Sequence, residues 1–411
     1  MRRTNRRATE RRVIAFGRMR QHWTLDPDIV FLNHGAFGAC PRAVLDAQSE
    51  WRARLEREPV HFFANVLEGE LDRLREIVGA FAGARPDDVV FIRNSTAGVS
   101  AVLRSLDFGP GDVLLTTDHA YNACKNALDF KAHHSGARVR VVNVPFPPAG
   151  PEDVTERILE AATPEVRLAM IDHVTSPTGL VLPIDDIVRR LRERGIETLV
   201  DGAHGPGMRP LELSKLGAAY YVGNFHKWLC APKGAAMLWA REDKQRGLHP
   251  PVISHGFNSS RRRSRFLEEF DWTGSDDPSS WLAVPEAIRF VGGLLPGGWP
   301  EVHRRNRELV LEGRRILSDA LGLAASVPES MIGSLATMSL PDGDSKVFVP
   351  PNLEPLHLTL FERHRIEVPV FSWPDAPKRL VRISAHLYNT PDDYRKLAAA
   401  LAHELGLERG G

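Results

Sequence analysis

Short apolar runs alternate with amphipathic stretches through the first two-thirds of the chain. The runs at 89–92, 113–116, 139–144, 168–171, 198–200, 220–222 and 235–239 are rich in Val, Ile, Leu and aromatic residues and are bounded by polar or glycine-containing turns. That composition and length predict strands. Between them, apolar positions recur at helical spacing, as over 184–194. Near-continuous apolar strands separated by helices predict an α/β architecture, with a mostly parallel seven-stranded sheet covered on both faces. Upstream, a β-like run at 29–32 ends at Asn33-His34-Gly35-Ala36-Phe37-Gly38, where the glycines predict a turn that lets backbone approach closely. Helices follow over 41–58, with Val44, Leu45, Trp51 and Leu55 on one face, and over 68–81. From about residue 285 the pattern changes. A helical stretch through Ile288 and Phe290 leads past Pro296-Gly297-Gly298 into a long helix over 301–321; strands at 348–349 and 380–384 and a last helix over 391–405 follow. This predicts a basic N-terminal tail and first helix (1–25), a large domain (26–290) and a smaller α+β domain (291–411).

Composition narrows the class. The 411 residues are 43% hydrophobic and 26% charged, with a net charge of +1. These values suit a globular enzyme and argue against a dedicated nucleic-acid binder. No apolar run approaches the roughly 18 residues of a membrane span. Three cysteines, Cys40, Cys124 and Cys230, make no disulfide framework, so a reducing cytoplasm is the expected home. Arg11-Arg12 glances at a twin-arginine export signal, but Gly17-Arg18-Met19-Arg20 breaks the apolar stretch that must follow. Arg261-Arg262-Arg263-Ser264-Arg265 is a charge run expected on a solvated loop.

The polar clusters fall at the carboxyl ends of the predicted strands, where open α/β sheets bind ligands. Lys227 follows such a strand, beside His226 and flanked by aromatic residues. Burial near a cation lowers a lysine's pKa and makes it a nucleophile able to form a Schiff base with an aldehyde cofactor. Asp201 ends an apolar strand and is followed by Gly202-Ala203. A carboxylate there can hold a protonated ring nitrogen; taken alone it is a helix cap. Asn94-Ser95-Thr96-Ala97-Gly98 opens a helix after a strand, offering hydroxyls and free N–H groups to a phosphate or, more plainly, an N-cap. The three features together, in this order, point to one site. A nucleotide fingerprint of the Gly-x-Gly-x-x-Gly type after the first strand is absent.

These residues carry a family resemblance. Leu32-Asn33-His34-Gly35-Ala36-Phe37-Gly38, Ser176-Pro177-Thr178-Gly179, Asp201-Gly202-Ala203-His204, Gly223-Asn224-Phe225-His226-Lys227-Trp228-Leu229 and Arg382-Ile383-Ser384-Ala385-His386 resemble the class V aminotransferase superfamily of fold-type I pyridoxal-5′-phosphate enzymes, most of all its isopenicillin N epimerase branch. The resemblance implies that Lys227 carries the cofactor as a Schiff base and then shuttles protons. It implies that Asp201 pairs with the pyridinium nitrogen, and that Ser95, Thr96 and His226 hold the phosphate. His204 and Ser176 would lie near the phenolic oxygen. The stacking ring would come from Asp118-His119-Ala120-Tyr121, with His119 favoured over Tyr121. Gly274-Ser275 would reach the phosphate of a neighbouring subunit, making the protein a homodimer. Arg382 would clamp a substrate carboxylate, with Asn33, His34 and His61 on the substrate side. No metal is called for.

The reaction is less specified. Proton removal from Cα leads to epimerisation, transamination or elimination, depending on where a proton returns or what leaves. Cysteine desulfuration needs a thiol shortly before the arginine strand, and 366–373 contains none. Epimerisation of an amino acid is the nearest reading, with transamination and β-elimination beside it. A non-catalytic binding protein of the same fold is disfavoured by intact Lys227, Asp201, Ser95, Thr96 and Arg382.

Overall fold

The computed structural model describes residues 19–324, 326–343 and 354–406. The chain enters through β1 (Val30–Phe31), the short helix His34–Phe37 and two amphipathic helices, Arg42–Arg57 and Leu67–Ala82. Seven strands follow: β2 (Val89–Ile92), β3 (Val113–Thr117), β4 (Arg138–Val142), β5 (Val166–Asp172), β6 (Glu197–Asp201), β7 (Tyr220–Asn224) and β8 (Ala236–Ala240). They form one sheet in the order β2-β8-β7-β6-β5-β3-β4. Within it β8 runs antiparallel to both neighbours, and the other pairings are parallel.

Side-chain alternation explains the two-faced burial. Val89, Phe91, Val113, Leu115, Ala169, Ile171, Val200, Tyr221, Met237 and Trp239 enter one core, while Val90, Ile92, Leu114, Leu168, Met170, Leu199, Val222 and Leu238 enter another. Successive residues of a strand point to opposite faces, so an apolar strand without polar alternation needs cover on both. The edge strand β4 is the exception. Its Arg138 and Arg140 sit where a charged edge discourages further pairing.

Beyond the sheet, helices Val284–Gly293 and Gly298–Leu321 lead to β9 (Leu335–Leu340), β10 (Ile366–Glu367), β11 (Val370–Ser372), β12 (Arg379–Ser384) and the helix Pro391–Glu404. β11, β12 and β9 form an antiparallel sheet, and β1 pairs in parallel with β10. The N-terminal segment is sewn to β12 as well: Ser384 N–H donates to Leu32 O at 3.0 Å, and His34 N–H donates to Ser384 Oγ at 2.8 Å.

The seven predicted strands of the large sheet lie within two residues of those observed. β9, β10 and β11 were not expected. The last two are very short; β9 and β10 depend on partners distant in sequence, whereas β11 pairs across a short connection with β12. The strand expected at 348–349 lies outside the described residues, as does most of the basic tail. The long helix begins at Gly298, before the expected 301, because Trp299 and Pro300 suit its first turn. The arginine run finds partners on the Leu67–Ala82 helix. Arg261 donates to both oxygens of Glu68 at 2.6 and 2.7 Å, and Arg263 donates to Asp72 at 3.0 Å and to Asp271 at 3.1 Å. Its charge is thus matched locally. Among the described residues no helix is long and apolar enough to cross a membrane.

Gly38 shows what its turn approaches. Its φ is +69°, and a Cβ there would lie 2.0 Å from the carbonyl oxygen of His226. Gly38→Ala therefore combines a left-handed backbone with a backbone clash. We expect it to destabilise the protein by about 2–4 kcal/mol. Urea denaturation of the purified variant checks this; an unchanged midpoint would remove the close approach from the account.

Candidate active site

Parallel strands aim their carboxyl ends at one edge of the sheet. There β5 ends at Asp172, β6 at Asp201 and β7 at Asn224. After β7 the chain turns back toward β8 in a tight loop. Phe225 N–H and His226 N–H both donate to Ala235 O, at 2.9 and 3.3 Å, and Ala231 N–H donates to Phe225 O at 3.0 Å. This loop carries Lys227 into a cavity of about 600 Å³. Ser95, Thr96, Tyr121, Ser176, Asp201, His204, His226, Lys227 and Arg382 all line it.

Lys227 is gripped on both its backbone and its side chain. His34 Nε2 lies 3.0 Å from the Lys227 carbonyl oxygen, and His34 Nδ1 lies 2.6 Å from the Tyr388 hydroxyl. Tyr388 can donate to Nδ1 while the Nε2 proton goes to the carbonyl, so this buried imidazole is satisfied as a neutral ring. The Lys227 amine is 3.1 Å from His204 Nε2, and Trp228 Nε1–H donates to His204 Nδ1 at 3.1 Å. Burial, reinforced by the cationic Arg382 and partly opposed by Asp201, pulls the Lys227 amine down to about 8. Burial holds His204 well below the ordinary histidine range, with Lys227 and Arg382 adding to the effect.

Asp201 is 3% exposed and accepts a hydrogen bond from Ala203 N–H at 3.0 Å. Its other oxygen accepts from the Cys124 thiol at 3.2 Å. Asp172 stands in register beside it on the neighbouring strand. Burial first, and Asp201 second, raise the Asp172 carboxyl well above the usual range. One Asp172 oxygen is buried without a protein partner.

At the other end of the cavity Asn94 caps the Ser95–Ser105 helix, accepting from Ala97 N–H at 2.9 Å. Asn224 Oδ1 accepts from Ser95 N–H at 2.9 Å, which ties the helix start to the end of β7. Ser95 Oγ is buried and has no protein partner. An orphaned hydroxyl at a helix N-terminus fits an anionic ligand group, and the carboxylate at the opposite wall fits a cationic ring nitrogen. Arg382, on β12, is 7% exposed and donates to the carbonyl oxygen of Ser176, while its Nε has no protein partner. Burial lowers it to about 10, still charged at neutral pH. These groups suit an aldehyde cofactor with a pyridine ring and a phosphate, and a carboxylate on its substrate.

Other expected residues lie elsewhere. His119 does not line the cavity. Its Nδ1 lies 2.6 Å from Thr178 Oγ1 and its Nε2 lies 2.7 Å from Val144 O, and Trp373 packs edge-on at 4.5 Å. Both nitrogens are committed to that buried corner, so Tyr121, rather than His119, lines the cavity. Neither Asn33 nor His34 faces this cavity. Asn33 donates to Glu367 at 2.8 Å and lines a separate apolar pocket, and His34 is fully buried behind the lysine. His61 is exposed, and neither it nor Gly274 and Ser275 lines the cavity. The residues that sequence reasoning missed are Asp172, Cys124, Asn224 and Trp228. Asp172 and Asn224 carried a faint signal as polar ends of apolar strands; Cys124 reaches Asp201 only through the packing of the Asn122–Ser135 helix.

The family model of aminotransferase class V matches residues 30–397. An isopenicillin N epimerase of Amycolatopsis lactamdurans is 37% identical over 402 residues, covering 94% of this chain and 98% of that protein. A probable chloroplastic L-cysteine desulfhydrase of Arabidopsis thaliana is 32% identical over 415 residues, covering 94% of this chain and 84% of that protein. Among solved structures, a mutant of C-DES with glycine covalently linked to its PLP cofactor is similar with a TM-score of 0.79 over 93% of this chain and 98% of that chain. Its sequence identity is 20%, so this likeness shows the fold, that of fold-type I PLP enzymes. The chain belongs to the aminotransferase class V family and is a pyridoxal-phosphate-dependent enzyme.

Proposed function

We propose that this enzyme removes the α-proton of an amino acid and returns a proton with inversion, as an epimerase or racemase of the isopenicillin N epimerase type. The observation that carries the reading is the Lys227 amine, lowered to about 8 inside a cavity that also presents the Arg382 guanidinium. The isopenicillin N epimerase relatives, 37% and 34% identical, support inversion as the outcome.

Pyridoxal phosphate supplies, when bound, an aldehyde carbon for amine capture and a ring that takes up the charge left at Cα. The protein does the rest. Lys227 is the amine that holds the cofactor and the base that takes the α-proton; inversion then requires a proton delivered from the opposite face. Asp201 would hold the protonated ring nitrogen, and the raised pKa of Asp172 beside it disfavours a second negative charge there. Ser95, Thr96 and His226 hold the phosphate at the helix start, and Ser176 and His204 border the phenolic oxygen. Tyr121 is the aromatic ring of the cavity wall. Arg382 binds the substrate carboxylate in the planar, two-point geometry that guanidinium favours. Ser176 O, which accepts from Arg382, limits how that guanidinium turns.

The desulfhydrase relatives favour a second reading, β-elimination of a sulfur-linked amino acid. The first steps are shared; the two part at the fate of the β-substituent.

Gly274-Ser275, half-buried and exposed respectively on one chain, would complete the phosphate site of a second copy in a homodimer. Sedimentation of the cofactor-saturated enzyme should give a dimer, and a fully active monomer would end this part of the proposal.

Lys227→Ala should lose the Schiff-base absorption band and turnover by at least about a thousandfold. Borohydride-trapped cofactor in that variant would move the role to another lysine, with Lys233 first. An amino-acid screen in D₂O, reading chirality and products together, separates the reactions. Exchange with inversion and no keto acid is expected. Keto acid with ammonia and a released leaving group would establish elimination instead, and keto acid alone would establish transamination.

A further inference from the structure

We propose that Trp228 is a positioning residue that selects the tautomer of His204, so that His204 presents an N–H donor to Lys227 and holds its amine as a neutral hydrogen-bond acceptor. The inference rests on the reading of Lys227 as the cofactor-binding amine.

An indole nitrogen can only donate. Trp228 Nε1–H donates to His204 Nδ1 at 3.1 Å, so Nδ1 carries the lone pair. A neutral imidazole has one ring proton, which must then sit on Nε2. Nε2 lies 3.1 Å from Lys227 Nζ. An N–H pointing at an amine needs a lone pair there, and an ammonium group has none. His204 is 1% exposed and Trp228 fully buried, so water does not offer a substitute partner to either ring.

The chain makes this economical. Lys227 and Trp228 are consecutive, and they engage the two nitrogens of one imidazole. Trp228 is itself immobilised among Val174, Val181, Met208 and Leu335. His34 packs against its ring, with centroids 5.0 Å apart, while also bonding the Lys227 carbonyl. The acceptor at Nδ1 is therefore held by a group that cannot turn away.

Other charges face the pair. Arg382, Asp201, Asp172 and Cys124 act on Lys227, and Lys227, Arg382, His226 and His34 act on His204. Arg382 disfavours an ammonium group at Lys227, whereas Asp201 favours it. The Nε2–H donor adds to the first side. Accepting that hydrogen bond occupies the one lone pair of Lys227, so the bond is released when the amine attacks a carbonyl carbon or takes a proton. His204 is thereby a donor toward the lysine, and it cannot act as a base at Nε2 without first changing tautomer.

The test uses the full chain, freed of cofactor and labelled with ¹⁵N-histidine. The His204 signal is the one lost in His204→Gln. It should show a protonated Nε2 and a bare Nδ1; a proton on Nδ1, alone or on a doubly protonated ring, overturns the proposal. In Trp228→Phe, which keeps a ring and loses the N–H, the pH midpoint for capture of pyridoxal phosphate should rise by about one unit or more. A folded Trp228→Phe protein with an unchanged midpoint also overturns it. If that variant does not fold, the wild-type ¹⁵N spectrum decides. Capture of cofactor at a lysine other than Lys227 would instead sink the underlying reading while leaving the histidine spectrum as it stands.

Discussion

A lysine amine that must be nucleophilic near neutral pH has to be kept out of water, and the fold around Lys227 is arranged by that requirement. Burial and the neighbouring Arg382 make the ammonium form unfavourable, while Asp201 keeps the shift moderate, near 8. Such a site is unforgiving, because each buried polar group needs a partner. The loop after β7 is accordingly pinned from several directions. His34 holds the Lys227 carbonyl, Ala235 holds the N–H groups of Phe225 and His226, and Gly38 leaves the space through which the His226 carbonyl passes.

The parallel sheet makes this possible with few special residues. β5, β6 and β7 deliver Asp172, Asp201 and Asn224 to one edge; Asp172 and Asp201 are register partners, and Asn224 lies beyond Val222, the partner of Asp201. Two carboxyl groups side by side in a buried place cannot both ionise at low cost. Burial and the neighbouring Asp201 push the Asp172 carboxyl well above the usual range, while the Cys124 thiol and the Ala203 N–H donate to Asp201. The same edge places the start of the Ser95–Ser105 helix across the cavity, tied by Asn224. Opposite-signed ends of the site thus follow from one topology. β12 then brings Arg382 over the cavity, because β9, β11 and β12 form a separate sheet to which the N-terminal segment is stitched.

The large sheet was legible in the sequence because strands buried on both faces are written as continuous apolar runs, which few other elements imitate. Lys227, Asp201 and Ser95 were legible because each sits at the end of such a run, and motifs at strand ends share a site in parallel sheets. β10 and β11 were not legible, since strands of two or three residues on either side of Pro369 have no periodicity to detect. Asn33 and His34 were expected on the substrate side because the family resemblance implies it; their partners, Glu367 and Tyr388, lie more than three hundred residues away.

By itself the sequence determined the α/β class, the order of the strands along the chain and the chemistry of the strand-end motifs, because these depend on local pattern. Only the tertiary structure decided which groups meet. Alternation along an extended segment leaves His119 and Tyr121 equivalent, and packing against Thr178, Val144 and Trp373 takes His119 out of the cavity. Nor does any local pattern announce that Cys124 bonds Asp201 or that Trp228 and Lys227 share one imidazole. Hydrogen-bond partnership and burial set the protonation of those groups, and both are properties of the folded chain rather than of any stretch within it.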